Sequence, residues 1–515
     1  MQIPAQPPST FMVNLLRLPL FLLLIGVFSA AMLVPAVYGG VARDLEAARA
    51  FLYCGILGMS AFGLIGLAHA GRDPRHGALG PLMTLFCAFV FLPVLLAIPF
   101  YEGLGTTTFL NAYVEMVSAI TTTGSTIFDD PDRLNGTLHL WRALVAWMGG
   151  LMMWIAASAI LAPLNLGGFE VTARAEPGRT ASRDTSMAAP EVRVRISKVS
   201  AILVPIYCGL TVLLWILLAV SGDPGLAALC HAMSIMATSG ISPVGGLDAA
   251  GAGLVGEMVM VLFMLFALSR LTFSTDTATS DTGGLRTDPE FRIGLALVVV
   301  VPTVLFLRHF LGAVDVNAED DLIRAGRAFW GSAFTVLSFL TTTGFTSAYW
   351  SEAQDWSGLA TPGLLLMGLA VIGGGVATTA GGVKLLRVFA LYLNGLREME
   401  RLVHPSSISG GSAMGRRLQK GGAFIAWIFF MLFALSLALI CIALTATGVP
   451  FETSLIITVA GLSTTGPLLE VAASTPIALI DLGPTAKGIF VAAMVIGRLE
   501  MLAIIALLTP DLWRG

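Results

Sequence analysis

The sequence predicts an all-α integral membrane protein in which four related repeats follow a peripheral pair of helices. Composition is the first reason: of 515 residues, 56% are hydrophobic, 12% are charged and the mean hydropathy is +0.85. A soluble domain carries charge on about a quarter of its residues, so this chain does not fit that class. The net charge of -3 also argues against a nucleic-acid partner.

The second reason is the number of long apolar segments. Ten of them approach the ~20 residues that a membrane-spanning helix needs. Arg17 interrupts the first, which is too long for the apolar part of a signal peptide, so we expect it to remain as a membrane helix. The segments cover residues 11–38, 50–69, 80–100, 139–165, 199–220, 252–270, 290–312, 358–379, 418–447 and 484–508.

The third reason is a short Thr-[Thr/Ser]-Gly turn that recurs four times at comparable intervals. Each copy follows a short apolar segment and precedes a long one. Segments such as 107–120 and 327–340 would form helices of ~20 Å, which enter a bilayer without crossing it. The four turns are Thr122-Thr123-Gly124, Thr238-Ser239-Gly240, Thr342-Thr343-Gly344 and Thr464-Thr465-Gly466.

A helix, a half-helix, a turn and a second helix in this order are typical of a pore loop. Non-helical backbone at membrane depth is tolerated only where it lines protein or water. Carbonyl groups on such turns can replace the hydration shell of a monovalent cation, and glycine permits the dihedral angles that aim them inward. A single copy could equally be a packing element in a chain with 56 glycines. Four copies in register with hydropathy predict a selectivity filter around a central pore.

The repeats suggest domain boundaries and an orientation. Basic residues concentrate in the polar loop 167–198 and in the stretch 387–420. The positive-inside rule assigns both to the cytoplasm. The Thr-Gly turns lie in the opposite, acidic loops, so the filter should face outward. The predicted parts are a peripheral helix pair at 1–78, pore repeats at 79–166, 199–289, 290–417 and 418–515, and a polar cytoplasmic loop at 167–198.

The second long segment of repeat three carries a dense run of glycine. Consecutive glycines each cost about 1 kcal/mol of helix stability relative to Ala, so we expect the helix to break there. A broken helix at membrane depth can line a cavity and move, which predicts a gate beneath the filter; close packing of small residues is the alternative. The predicted gating residues are Gly373, Gly374, Gly375, Thr378, Thr379, Gly381, Gly382 and Lys384, together with Arg498.

Arg498 lies deep in the last apolar segment, ~21 Å beyond Pro484 if the segment is helical. A charge at such depth is costly and usually faces the bundle interior or water. Glu500 is two residues away and cannot share its helix face. We expect Arg498 to project into the conduction path, with a structural ion pair to a distant acid as the alternative. Glu500 is either a structural element or a contact to a neighbouring subunit.

Together these features resemble the Trk/Ktr/HKT superfamily of potassium transporters, and the two leading helices make the chain most similar to its bacterial Trk-type uptake subunit. The likeness runs from about residue 11 to residue 510. It rests on the four turns and on the segments Trp147-Met148-Gly149-Gly150, Ala380-Gly381-Gly382-Val383-Lys384 and Gly497-Arg498-Leu499-Glu500.

The resemblance implies a multi-pass protein of the bacterial inner membrane that carries potassium and needs no covalent cofactor. It implies a homodimer with one pore per subunit, a gating loop at 373–382 and an electropositive constriction at Arg498. It also implies a cytosolic nucleotide-binding ring as regulatory partner, for which the basic stretch from Arg387 to Lys420 is the predicted docking surface.

Two turns depart from the family pattern. Ile241 follows Gly240 where an aromatic residue is common, and Leu468 follows Pro467 where a second glycine is usual. All four filter glycines are nevertheless present, which in this family goes with a preference for potassium over sodium.

Two other functions compete with a potassium-selective pore. A proton- or sodium-coupled potassium symporter with the same fold is one, since transporters often contain broken helices near the midplane. A membrane-embedded enzyme is the other, but the six histidines form no metal-binding motif and the five cysteines have no CxxC spacing. The acidic segment 315–321 would either concentrate cations at the outer mouth or be a solvated loop.

Overall fold

The computed structural model describes residues 18–69, 80–162, 189–269, 288–312, 321–359, 361–403 and 420–500. These ranges are helical, with turns and short irregular segments and without a strand. The α-helices are Leu20–Ala31, Leu33–Val41, Leu45–His69, Gly80–Val90, Leu92–Leu104, Phe109–Ile120, Gly136–Ala156, Ala189–Ser221, Gly225–Ala237, Gly253–Met264, Pro289–Gly312, Asp321–Leu340, Trp350–Ser357, Pro362–Ile372, Leu385–Val403, Lys420–Ala446, Phe451–Leu462, Leu468–Val471 and Pro484–Leu499.

Within the described ranges, seven helices are long and apolar enough to cross a membrane, or eight if one bent pair counts as a single span. The sequence predicted ten. The difference lies in the second helices of the last three repeats, which end near Leu268, at Ile372 and at Leu499. All three ends lie beside the glycine-rich segment of repeat three, where non-helical backbone needs space and hydrogen-bond partners. The sequence stays apolar beyond these three helix ends, so composition alone could not show where the helices stop.

The predicted loop 167–198 is shorter than expected. Residues 189–198 belong to the helix Ala189–Ser221, while 163–188 lie outside the described residues. Polar composition misled the prediction here, because Ala, Arg, Lys and Glu are good helix formers wherever the helix extends beyond the lipid.

The four repeats pack as a closed ring. The second helix of each repeat packs against the helix that precedes the Thr-Gly turn of the next repeat, called here turn helix 1 to 4. The pairs are Gly136–Ala156 with turn helix 2 (Gly225–Ala237), Gly253–Met264 with turn helix 3 (Asp321–Leu340), Pro362–Ile372 with turn helix 4 (Phe451–Leu462), and Pro484–Leu499 with turn helix 1 (Phe109–Ile120). The last pair joins repeat four to repeat one and closes the ring.

Two adjacent glycines permit the tightest part of this packing. A Cβ on Gly149 would lie 2.1 Å from the carbonyl oxygen of Ile120, and a Cβ on Gly150 would lie 3.1 Å from the Cα of Ala237. The second helix of repeat one therefore passes between the carboxyl ends of turn helices 1 and 2. A side chain at either glycine would force those ends apart.

The N-terminal helices pack on the outside of repeat one. Leu45–His69 lies against Leu92–Leu104, and Leu33–Val41 lies against Gly136–Ala156. Phe51 and Trp141 join the two parts in an edge-to-face contact with ring centroids 5.3 Å apart. These helices contact repeat one and leave the ring of four repeats intact.

Candidate ion-conduction pathway

The four Thr-Gly turns have the same backbone form. Their first residue is a threonine in the left-handed region, with φ of 54°, 51°, 57° and 52° at Thr122, Thr238, Thr342 and Thr464. This conformation costs about 1–2 kcal/mol for a residue with a side chain, and such strain is concentrated at functional sites. Its repetition at four separate places in the chain shows that the turns are built alike.

Each turn is tied back to its helix by the same hydrogen bond. The amide of the second turn residue donates to a carbonyl oxygen five residues earlier. The bonds are Thr123 to Ser118 at 2.9 Å, Ser239 to Ser234 at 3.0 Å, Thr343 to Ser338 at 2.9 Å and Thr465 to Ala460 at 2.9 Å.

The four turns meet around one centre, with each glycine facing the following repeat. A Cβ on Gly124 would lie 1.5 Å from the carbonyl oxygen of Ser239, and a Cβ on Gly240 would lie 2.3 Å from that of Thr343. The same atom on Gly344 would lie 2.7 Å from Cγ of Pro467, and on Gly466 2.1 Å from the amide nitrogen of Ser125. The structure thus brings together the twelve residues that the sequence singled out.

Hydroxyl groups beneath the turns form a second repeated feature, which sequence reasoning missed. Three turns are preceded by a hydroxyl residue that contacts the second turn residue: Thr121 with Thr123 at 2.8 Å, Thr341 with Thr343 at 3.0 Å and Ser463 with Thr465 at 3.2 Å. Repeat two has Ala237 in this place, and Ser234 instead contacts Ser239 at 3.1 Å. The hydroxyl residue before three of the four Thr-Gly runs was the available signal.

The fourth turn departs from the other three in its backbone. Gly124, Gly240 and Gly344 have φ of 73°, 65° and 89°, whereas Gly466 is not in the left-handed region. Gly466 is required by contact instead, because a Cβ there would lie 2.1 Å from the amide nitrogen of Ser125. Its own amide donates to the carbonyl oxygen of Thr123 at 2.6 Å. The ring of Pro467 occupies the space beside Gly240 and Gly344.

The helix of repeat three breaks where the glycine run predicted. It ends at Ile372, and Gly373 and Gly382 take φ of 73° and 76° at the two ends of the loop 373–382, called here the glycine loop. The amide of Gly381 donates to the hydroxyl of Thr342 at 2.8 Å. The glycine loop therefore lies directly against a Thr-Gly turn.

The glycine loop also touches the turns of repeats two and four. The hydroxyl groups of Thr238 and Thr379 are 3.0 Å apart, and a Cβ on Gly381 would lie 2.1 Å from the carbonyl oxygen of Ser463. A cavity of about 20 Å³, roughly the space of one water molecule, remains between the turn of repeat two and the loop. Thr238, Thr378 and Thr379 line part of it.

The amides of the glycine loop find partners on other helices, as non-helical backbone at membrane depth requires. The amide of Val376 donates to Oε1 of Glu290 at 3.0 Å, and that of Gly375 donates to the carbonyl oxygen of Ala267 at 2.9 Å. Lys384 donates from its ammonium group to the carbonyl oxygen of Ala380. These bonds hold the loop in one position under the turns.

Arg498 faces the glycine loop from repeat four. Its Nη1 donates to the carbonyl oxygen of Thr379 at 2.5 Å, and the side chain is buried. Among the described residues Arg498 forms no ion pair, so the alternative of a distant acidic partner is not what the structure shows. Gly497 makes the approach possible, since a Cβ there would lie 2.4 Å from the carbonyl oxygen of Leu462.

Glu500 pairs with a residue that the sequence assigned elsewhere. Nη2 of Arg387 lies 2.7 Å from Oε2 of Glu500, and the guanidinium group is 3.7 Å from the ring centroid of Phe429. Arg387 is fully buried, so its expected place in a cytoplasmic docking surface was wrong. Of the two alternatives for Glu500, the structure shows a structural ion pair within the chain.

The segments that follow the turns carry exposed acidic residues. Asp129 follows the first turn and Glu470 the fourth, and Asp481 is close enough to affect Asp129 electrostatically. Partial burial and the charge of Asp481 raise the pKa of Asp129 above its usual value. The acidic segment 315–320 lies outside the described residues.

Comparison with known proteins places this geometry in a family. A family model for TrkH, described as a cation transport protein, matches residues 90–267 and 283–512. The chain belongs to the TrkH family. This is a family of transporters, which excludes the membrane-embedded enzyme considered above and confirms a multi-pass membrane protein with the predicted all-α fold.

Members of the TrkH family match most of the chain or nearly all of it. The Trk system potassium uptake protein TrkH of Salmonella typhimurium is 30% identical over 503 residues, which cover 96% of this chain and 98% of that protein. The TrkH protein of Vibrio parahaemolyticus is 31% identical over 422 residues, covering 79% and 80%. The crystal structure of the potassium transporter TrkH from Vibrio parahaemolyticus matches with a TM-score of 0.78 at 26% identity, over 98% of this chain and 100% of that one.

Proposed function

We propose that this protein is a potassium-selective uptake pore of the bacterial inner membrane. The observation that carries the proposal is the ring of contacts in which each turn glycine faces the following repeat. The carbonyl groups of Ser239 and Thr343 lie in that ring, at the carboxyl ends of the turn helices. The similarity to TrkH potassium uptake proteins supports potassium as the transported ion.

Selectivity follows from the carbonyl oxygens of the turns. A potassium ion that enters the ring exchanges its hydration shell for these oxygens, and the partial negative charge of the helix ends favours a cation. The hydroxyl contacts beneath the turns, such as that between Thr341 and Thr343, keep the carbonyl groups at a set spacing. The filter faces outward, where Asp129 adds negative charge at its mouth.

The glycine loop acts as the gate. In the position described above it lies against turns of three repeats, and Arg498 of the fourth repeat holds it through the carbonyl oxygen of Thr379. A guanidinium group below the filter also repels cations. Withdrawal of the loop would open the path and displace the carbonyl oxygen of Thr379 that Arg498 contacts.

Regulation comes from the cytoplasmic side. The helix Leu385–Val403 follows the glycine loop directly, so a displacement of this helix pulls on the loop. It exposes Tyr392, Met399 and Leu402 on its surface. We assign these residues to contact with a cytosolic nucleotide-binding ring, and the working unit is a homodimer with one pore in each subunit.

The test is ion flux in liposomes that contain the purified protein. Rubidium and potassium should enter rapidly and sodium slowly, and an imposed proton gradient should leave the initial rate unchanged. Uptake that requires a proton or sodium gradient would identify the coupled symporter instead. Equal fluxes of sodium and potassium would contradict a potassium-selective filter.

A second experiment tests the docking surface. Leu402→Glu should abolish co-purification of the cytosolic nucleotide-binding protein from the native membrane, because a buried carboxylate without a partner opposes an apolar contact. Leu322→Glu is the matched control, since Leu322 is exposed to 87% and Leu402 to 84%, but Leu322 lies in turn helix 3. Co-purification that survives Leu402→Glu, or that is absent from the parent protein, contradicts docking at this helix.

A further inference from the structure

Glu257 is a buried carboxylate to which the established features of the chain assign no role. It lies in the second helix of repeat two and is 2% exposed. Its Oε1 accepts a hydrogen bond from the amide of Ala348 at 2.7 Å, and its Oε2 accepts one from Nε1 of Trp330 at 2.7 Å. The hydroxyl of Ser347 lies 3.0 Å and 2.8 Å from the two oxygens.

These contacts hold both sides of the third turn. Trp330 lies in turn helix 3, which leads into Thr342-Thr343-Gly344, and Ser347 and Ala348 follow the turn. The carboxylate belongs to the preceding repeat. Glu257 therefore connects the incoming and outgoing segments of the third turn to a helix that does not itself carry that turn.

The carboxylate has donors but no cationic partner in the described part of the chain. A buried charge of this kind is costly unless hydrogen bonds satisfy it, and hydrogen bonds to a charged acceptor are about twice as strong as neutral ones. Three donors that converge on one carboxylate are consequently held in a single arrangement. A neutral amide in the same place would present its own N–H groups to one of them.

Repeat one has a related contact with a different construction. Oε2 of Glu115 accepts from the amide of Ile127 at 2.9 Å, three residues after Gly124, while Oε1 lies 2.6 Å from Nε of Arg142. Glu115 lies in turn helix 1, which leads into the same turn that it contacts, and the guanidinium group of Arg142 lies beside it. Glu257 instead acts across a repeat boundary and through hydrogen bonds alone.

We propose that Glu257 is a positioning residue for selectivity: it fixes the spacing of the third turn and so prevents the turn from closing around a smaller cation. The inference rests on the proposed function of the turns as a potassium filter. Without this restraint the carbonyl groups of Thr343 and Gly344 can move toward a sodium ion, and the discrimination against sodium falls.

The test is Glu257→Gln in liposome flux measurements, scored as the potassium-to-sodium permeability ratio per folded protein. We expect the ratio to fall at least threefold. Glu452→Gln is the matched control, because Glu452 is an exposed acid in the first turn of turn helix 4, and it should leave the ratio unchanged. Ser347→Ala and Trp330→Phe keep the carboxylate and remove one donor each, and both should lower the ratio by a smaller factor.

The outcomes separate this inference from the filter assignment. If Gly344→Ser lowers the ratio and Glu257→Gln lowers only the thermal stability, Glu257 is structural and the inference is overturned. If Gly344→Ser and Glu257→Gln both leave the ratio unchanged, the filter assignment fails together with this inference. If Glu257→Gln does not fold, Ser347→Ala and Trp330→Phe decide, and an unchanged ratio in both overturns the inference.

Discussion

Replacing Gly344 by Ser should remove most of the preference for potassium over sodium. A Cβ at this position would lie 2.7 Å from Cγ and 2.9 Å from Cδ of Pro467, so the third and fourth turns must move apart. We expect the potassium-to-sodium permeability ratio to fall about tenfold, which corresponds to ~1.4 kcal/mol of discrimination. Gly344 is preferable to Gly124 as a test site, because at Gly124 the Cβ would meet a backbone oxygen at 1.5 Å and threaten folding.

Gly358→Ser is the control for this measurement. Gly358 also has a left-handed backbone, with φ of 55°, but a Cβ there meets no atom within 4 Å. Both variants carry the conformational cost of a side chain in the left-handed region, about 1–2 kcal/mol, and only Gly344→Ser disturbs the turns. A folded Gly344→Ser protein with the parent permeability ratio would show that the turns are not the filter.

Arg498→Ala should increase potassium flux and leave the permeability ratio unchanged. The substitution removes the bond from Nη1 to the carbonyl oxygen of Thr379, which holds the glycine loop under the turns. A hydrogen bond to a charged group contributes about 1.5–3 kcal/mol, so the open fraction should rise by about tenfold or more. The positive charge that repels cations is lost as well. In the proposed pore the turns set the selectivity, so the ratio should not change.

Lys487→Met separates this gating effect from a general loss of buried charge. Lys487 lies in the same helix, is buried and donates to Asn111 at 3.0 Å and to the carbonyl oxygen of Ile480 at 2.9 Å, without touching the loop. The variant Lys487→Met should reduce thermal stability with no gain in potassium flux. The gating proposal would have to be abandoned if Arg498→Ala also lowered the amount of folded protein with no gain in flux per folded protein.

The sequence was sufficient for features that depend on neighbouring residues. Three of the four Thr-Gly turns place their glycine in left-handed backbone, and this local requirement leaves a visible trace in the sequence, as at Gly344. The break after Ile372 is equally local, because several glycines destabilise a helix where they stand. Arg498 was recognised as inward-facing because a charge in lipid is costly wherever its partner lies.

Tertiary structure alone decided which distant residues meet. Arg387 appeared as one more basic residue of a cytoplasmic stretch until the fold brought it to Glu500, 113 positions away in the chain. Glu257 gave no signal either, since Trp330 and Ser347 reach it only through the packing of repeat two on turn helix 3. Hydrogen bonds and ion pairs depend on distances of about 3 Å between side chains, and those distances exist only once the four repeats have closed into a ring.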